Sequence, residues 1–289
     1  MVLKCKKYIL LFLSPAVLLI TIFLYYPLGK TIQYSFTNYS NWVPKFDYIG
    51  LENYKRIFTD SVISKSLINS LILLAGCLIV EVGFALVLAV LVDSIKKGFR
   101  FFRMVYFFPV VISGAAIGLM FYLVFQYEYG MLNSVLATFG VEKIVWITEK
   151  SAMFLVLIPV LWQYVGFYFV IFLTAIASVP TEIYESAMLD GISGFKKTIY
   201  ITIPMIKNVI VTSLGLVIAG SLKVFDIVFV MTNGGPLDAS QLLSTYQYQQ
   251  AFVYYNQGYG SAISVLIIVL GLILYLVTTK LSQSKDELY

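Results

Sequence analysis

Six apolar runs dominate the chain: 8–28, 67–92, 104–126, 151–179, 208–231 and 258–279. Each is 21 to 29 residues long, and crossing a bilayer core takes about 20 residues as a helix. Four of the six carry no charged residue. Lipid offers no partner to an unsatisfied peptide group, and runs of this length exceed a barrel strand, so helices are the only spanning structure open to them. The fold class that follows is an all-α membrane protein of six transmembrane helices, with 1–289 as one membrane domain. Charged residues make up only 12% of the sequence, about half the share in a soluble domain.

The first run follows Lys4, Lys6 and Lys7 as a signal peptide would, but its apolar core is too long and no small-residue cleavage site follows Pro27. An uncleaved span is expected. With six spans, both termini and the loops 93–103 and 180–207 share one side. That side holds 12 Lys and Arg in 56 residues, against 7 in 88 on the other. The denser side is expected to face the cytoplasm. The net charge of +5 reflects this asymmetry and gives no indication of nucleic-acid binding.

Several chemistries are excluded by residue type. There is no histidine, which removes His-based metal sites and Ser–His dyads. No GxxxxGK[ST] occurs, so the chain has no P-loop for a nucleotide. Cys5 and Cys77 have no metal spacing and imply no disulfide. An enzyme is not expected, nor a metal. Within the spans the ionisable residues are Glu81, Lys223 and Asp226. Ion-coupled secondary transporters build their relays from such groups, so that class is the alternative reading. Lys223 and Asp226, three apart, are expected to share a helical face and neutralise one another. Glu81 is expected to face a partner chain or a cavity.

Residues 180–207 hold the most specific pattern. Pro180 and Glu182 suit a first helical turn. Ile183 and Ala187 repeat at i, i+4. Gly191 stands where a left-handed residue would end that helix. Ser193 is placed to cap a second helix carrying Phe195, Ile199 and Ile203, and Pro204 interrupts it before the fifth span. Read on its own, this is a capped hairpin joining two spans. The run Glu185-Ser186-Ala187-x-x-Asp190-Gly191, closing with Ile201 and Pro204, also resembles the EAA motif of bacterial ABC importer permeases. Ser186, Ile192 and Thr198 depart from the usual Ala, Ala and Phe.

The similarity extends from about Tyr8 to Thr279. IGLENYKRIF, FRFFRMVYFFPVVIS, YGMLNSVL and VFDIVFVMTNGGP resemble the carbohydrate-uptake, maltose and glycerol-3-phosphate branch, on the side of the first of two paired permeases. The Trp-Asn pair typical of the second subunit is absent. The resemblance implies a sugar or oligosaccharide importer in a bacterial plasma membrane. Its partners would be a second permease subunit, an ATP-binding subunit dimer that holds ATP and Mg, and an extracytoplasmic solute-binding protein. This chain itself would carry no cofactor. Glu185, Ser186, Ala187, Asp190, Gly191 and Pro204 would form the loop that docks on the ATPase.

For the solute, the fourth span offers Trp162, Gln163, Tyr164 and Tyr168, with the two tyrosines on one face at i, i+4. An interfacial aromatic belt is the competing reading. Lys223, Asp226 and Asn233 complete the candidate path. The loop 232–257, rich in Tyr and Gln and free of basic residues, is placed either to meet a binding protein or to rest on lipid headgroups.

Overall fold

A computed structural model of the chain describes residues 6–42, 45–95 and 98–283; Cys5 lies outside them. Among the described residues the secondary structure is helical, with a single antiparallel bridge from Thr37 to Tyr48 and no strand. Five helices are long and apolar enough to cross a membrane: Leu11–Ser35, Ser61–Asp93, Ala152–Ala177, Lys207–Met231 and Gln257–Lys280.

The third apolar run departs from a simple span. It forms two helices, Arg100–Val111 and Gly114–Phe125, bent by 94° at a short break. Pro109 lies in the last turn of the first half, and Ile112 turns extended at φ −81°, ψ 138°. Ser113 then caps the second half by accepting from the Ala116 amide at 3.3 Å. Hydropathy is blind to this change of direction, because the apolar run from Met104 to Gln126 continues through the break without a charged residue.

The fifth span is also interrupted. Helix Lys207–Ser221 ends before Leu222, and helix Asp226–Met231 begins four residues later. In the second span the ladder widens to a π-helical stretch at Leu78–Phe84, which contains Glu81. Such widenings are frequent at functional sites.

Two compact units emerge. One gathers the chain up to Asp60 with Tyr246–Val269. Here the Asn53 amide donates to the Ser35 and Thr37 carbonyls, 2.9 Å each, and Asp60 accepts from the Tyr246 and Tyr259 hydroxyls at 2.7 Å. Burial first, and then the bond to Asp60, pushes the Tyr246 hydroxyl above its ordinary pKa.

The other unit holds Ser61–Thr245 and the chain from Leu270 onward. Its fourth span, Ala152–Ala177, packs against the second span and the first half of the third, burying Val156, Val160, Phe169 and Phe172 completely. Between apolar helices in lipid, close backbone approach drives association more than hydrophobicity does. Gly166 provides it: a Cβ there would collide with the Tyr106 carbonyl. Gly118 does the same for the second half of the third span, where a Cβ would stand 3.0 Å from the Ile227 carbonyl oxygen. Gly114 and Gly118 form a small-xxx-small pair against the end of the fifth span.

Candidate functional site

The fourth span carries the side chains around which the site is built. Tyr164 and Tyr168, one turn apart, line a cavity of about 280 Å³ with Cys77, Glu81, Phe167 and Ser221. A second cavity, about 240 Å³, is lined by Gln163, Tyr164, Lys223, Asp226 and Gly114. Tyr164, Gly220 and Val224 belong to both, so the two cavities meet along that line. Glu81 is 4% exposed; within the bundle it faces the first cavity. A carboxylate, two phenols and a serine hydroxyl in an otherwise apolar wall form a polar lobe able to accept and donate hydrogen bonds.

The candidate path residues do not all converge. Gln163, Tyr164, Tyr168, Lys223 and Asp226 line these two cavities. Trp162 points away, lining a separate groove with Val80, Phe84 and Pro109, with its ring 6.0 Å from that of Phe121. Asn233 is exposed at φ 48° in the turn after the fifth span and lines neither cavity.

The expected neutralisation of Lys223 by Asp226 is corrected. The helix breaks between them, so three residues of separation no longer means one face, and among the described residues they form no ion pair with each other. Both side chains are exposed and border the second cavity. Gln163 has a task of its own. It is 4% exposed and its amide donates to the Ile112 carbonyl at 2.9 Å, satisfying a peptide group freed by the break in the third span.

The segment after the fourth span forms helix Thr181–Leu189. Its end is closed by two bonds: the Gly191 amide to the Met188 carbonyl at 3.1 Å, and the Ile192 amide to the Ala187 carbonyl at 2.8 Å. With Gly191 at φ 74°, this is the Schellman arrangement. A short helix, Gly194–Lys197, then returns through a π-helical turn at Thr198–Thr202 to Pro204. Ser193 occupies the capping position, but its hydroxyl makes no capping bond; Pro180 likewise stands just before the first helix and not inside it.

Tyr184, which the pattern did not single out, braces the hairpin. Lys197 Nζ stands 4.7 Å from its ring centre, and its hydroxyl lies 3.4 Å from Thr202 Oγ1. Ala187 is buried on the inner side, whereas Glu185, Ser186, Asp190 and Pro204 are exposed and Leu189 at the tip is 90% exposed.

The hairpin is joined to the cavity walls through short breaks. Its first arm follows, across the non-helical residues Ser178–Pro180, the helix that carries Gln163, Tyr164 and Tyr168. Its second arm passes one break, at Ile206 (φ −97°, ψ 11°), into the helix that ends at Gly220 and Ser221. Fifteen residues of helix, Lys207–Ser221, cover about 22 Å.

Two polar braces with no short-range sequence signal hold the far loops of this unit. Asn69 donates to the carbonyls of Asp238, Ala239 and Gln241 at 3.0 to 3.3 Å. Asn133 donates to those of Tyr127 and Ile144 and accepts from the Ile144 amide and the Trp146 indole.

Comparison with known proteins agrees with this architecture. Residues 81–286 match the family described as binding-protein-dependent transport system inner membrane component. The probable ABC transporter permease protein YurN of Bacillus subtilis is 33% identical, over 96% of each chain. The multiple sugar-binding transport system permease protein MsmF of Streptococcus mutans is 30% identical over 94% of each. The arabinooligosaccharides transport system permease protein AraP of Bacillus subtilis is 32% identical, over 95% of this chain and 88% of its own. Among solved structures, a chain of a bacterial ABC transporter that imports the acidic polysaccharide alginate superposes with a TM-score of 0.84 at 21% identity, over 96% of both chains. A second alginate transporter structure, in complex with a pentasaccharide-bound periplasmic protein, gives 0.83 at 20% identity, again over 96% of both.

Proposed function

The chain belongs to the family of binding-protein-dependent transport system inner membrane components, and from that premise we propose that it is the permease subunit of an ATP-driven importer of a sugar or oligosaccharide. The observation that carries the mechanism is the closed hairpin at 181–204, whose two arms join the two helices that line the cavities across short breaks at 178–180 and at Ile206. A hairpin shut by paired backbone bonds moves as a rigid body and passes a displacement to the cavity walls, which a loose loop would absorb.

In this reading Glu185, Ser186, Asp190, Gly191 and Pro204, around the exposed Leu189, meet a separate ATP-binding subunit. The buried Ala187 holds the first arm in place. ATP and Mg reside on that partner, which also performs hydrolysis. A second permease subunit completes the path, and an extracytoplasmic solute-binding protein delivers the sugar. The whole chain acts as one subunit, with both termini and the hairpin in the cytoplasm. Glu81, Tyr164 and Tyr168 offer hydroxyl-binding and ring-stacking contacts in one lobe; Gln163, Lys223 and Asp226 border the other.

The test is uptake of a radiolabelled sugar panel in cells lacking this permease and complemented with it. Uptake is expected to stop when ATP is depleted and to continue when an uncoupler collapses the proton gradient while ATP is held constant. The reverse pattern would replace this reading with an ion-coupled secondary transporter.

A further inference from the structure

The first half of the third span carries a stripe that the transport reading leaves unused. Arg100, Arg103, Met104 and Phe107 fall at i, i+3, i+4 and i+7 and therefore on one helical face. With Val170 of the fourth span they line a groove of about 560 Å³. Its character changes along its length: two guanidiniums at the start of the span, then only thioether, aromatic and aliphatic surface. Arg100, Arg103 and Met104 are exposed. Among the described residues neither guanidinium has a carboxylate within ion-pair distance.

We propose that this groove binds one anionic phospholipid, its phosphate held by Arg100 and Arg103 and an acyl chain lying along Met104, Phe107 and Val170. Guanidinium forks match phosphate oxygens in planar, bidentate geometry, which an ammonium does not. Basic pockets between membrane helices select lipid headgroups on this ground. The order of the stripe along the helix is also that of a lipid: the two guanidiniums stand at the start of the helix, within the basic stretch 93–103, and Met104 and Phe107 follow one and two turns on from Arg100. A free phosphate would use the two arginines and leave the apolar part of the groove without a ligand, so the lipid is the occupant that fits the whole of it.

The experiment is native mass spectrometry of the purified full-length chain, titrated in detergent with phosphatidylglycerol or with phosphatidylcholine. One tightly bound phosphatidylglycerol is expected, with phosphatidylcholine at least tenfold weaker. R100Q and R103Q should each lower phosphatidylglycerol occupancy about fivefold, the equivalent of ~1 kcal/mol per cation. R100K/R103K should retain part of the preference, which separates loss of charge from loss of fold; equal melting temperatures of the variants in detergent complete that control. Equal binding of the two lipids to the wild type would overturn the assignment, as would unchanged occupancy in R100Q/R103Q. Full displacement of the lipid by inorganic phosphate would also overturn it, by showing that the apolar part contributes nothing.

Discussion

The Ile192 amide donates to the Ala187 carbonyl at 2.8 Å, across a Gly191 whose φ is 74°. Nothing lies within 4 Å of where a Cβ on Gly191 would stand, so a side chain there meets conformational strain and no collision. Gly191→Val is expected to cost about 1–2 kcal/mol of backbone strain at that one residue and to open the hairpin. Insertion should survive, because the spans are fixed by their own apolar length. Membrane levels should match the wild type, while sugar uptake and co-purification of the ATP-binding subunit fall. Normal uptake together with normal co-purification would reduce the segment to a connector.

Sidedness is tested with thiols in a chain carrying Cys5→Ser and Cys77→Ala. Leu237 is 73% exposed and Asp190 is exposed at the hairpin. A cysteine replacing Leu237 should react with an impermeant maleimide in intact cells, and one replacing Asp190 should react only after the membrane is opened. The opposite result inverts the topology and removes the hairpin from the ATPase side.

Gln163 illustrates what the sequence made legible and what it did not. Its place beside Tyr164 on an apolar span marked it as a polar group of consequence. Its bond to Ile112 was hidden, because nothing in an uninterrupted apolar run announces a 94° turn. Pro109 and Gly114 bracket the break, yet each is tolerated within membrane helices. The break at Leu222–Phe225 was hidden for a different reason: Lys223 and Asp226, three apart, read as a neutralising pair on one continuous helix, and that spacing gives no sign of the interruption. Features written in local chemistry were readable: six runs of spanning length, Gly191 at a helix end, two tyrosines one turn apart. Features that depend on which carbonyls a distant amide reaches, as at Asn69, were not.

The role of Gln163 as a brace makes a measurable claim. Gln163→Leu leaves the part-buried Ile112 carbonyl without its donor, a cost of about 1 kcal/mol. The thermal midpoint of the purified protein in detergent should fall, whereas Lys223→Gln, at an exposed position bordering the same cavity, should leave it unchanged. If both variants melt with the wild type, the bond contributes nothing to the broken span.

Gly220 gives the prediction in which stability and transport separate. It lines both cavities at the line where they meet, in the last turn of helix Lys207–Ser221, and a Cβ there would find nothing within 4 Å. Glycine in a helix is less favourable than alanine by about 1 kcal/mol, so Gly220→Ala should raise the thermal midpoint or leave it unchanged. The added volume would project into the passage and not into a packed neighbour. In a series Gly220→Ala, Gly220→Leu and Gly220→Trp, uptake of tri- and tetrasaccharides should fall first and that of monosaccharides last, with membrane levels constant throughout. A series in which uptake declines equally for all sugars and tracks falling protein levels would place Gly220 in the packing of the bundle. Normal oligosaccharide uptake by Gly220→Trp would show that the solute does not pass this line, and the path would then have to run elsewhere in the assembled transporter.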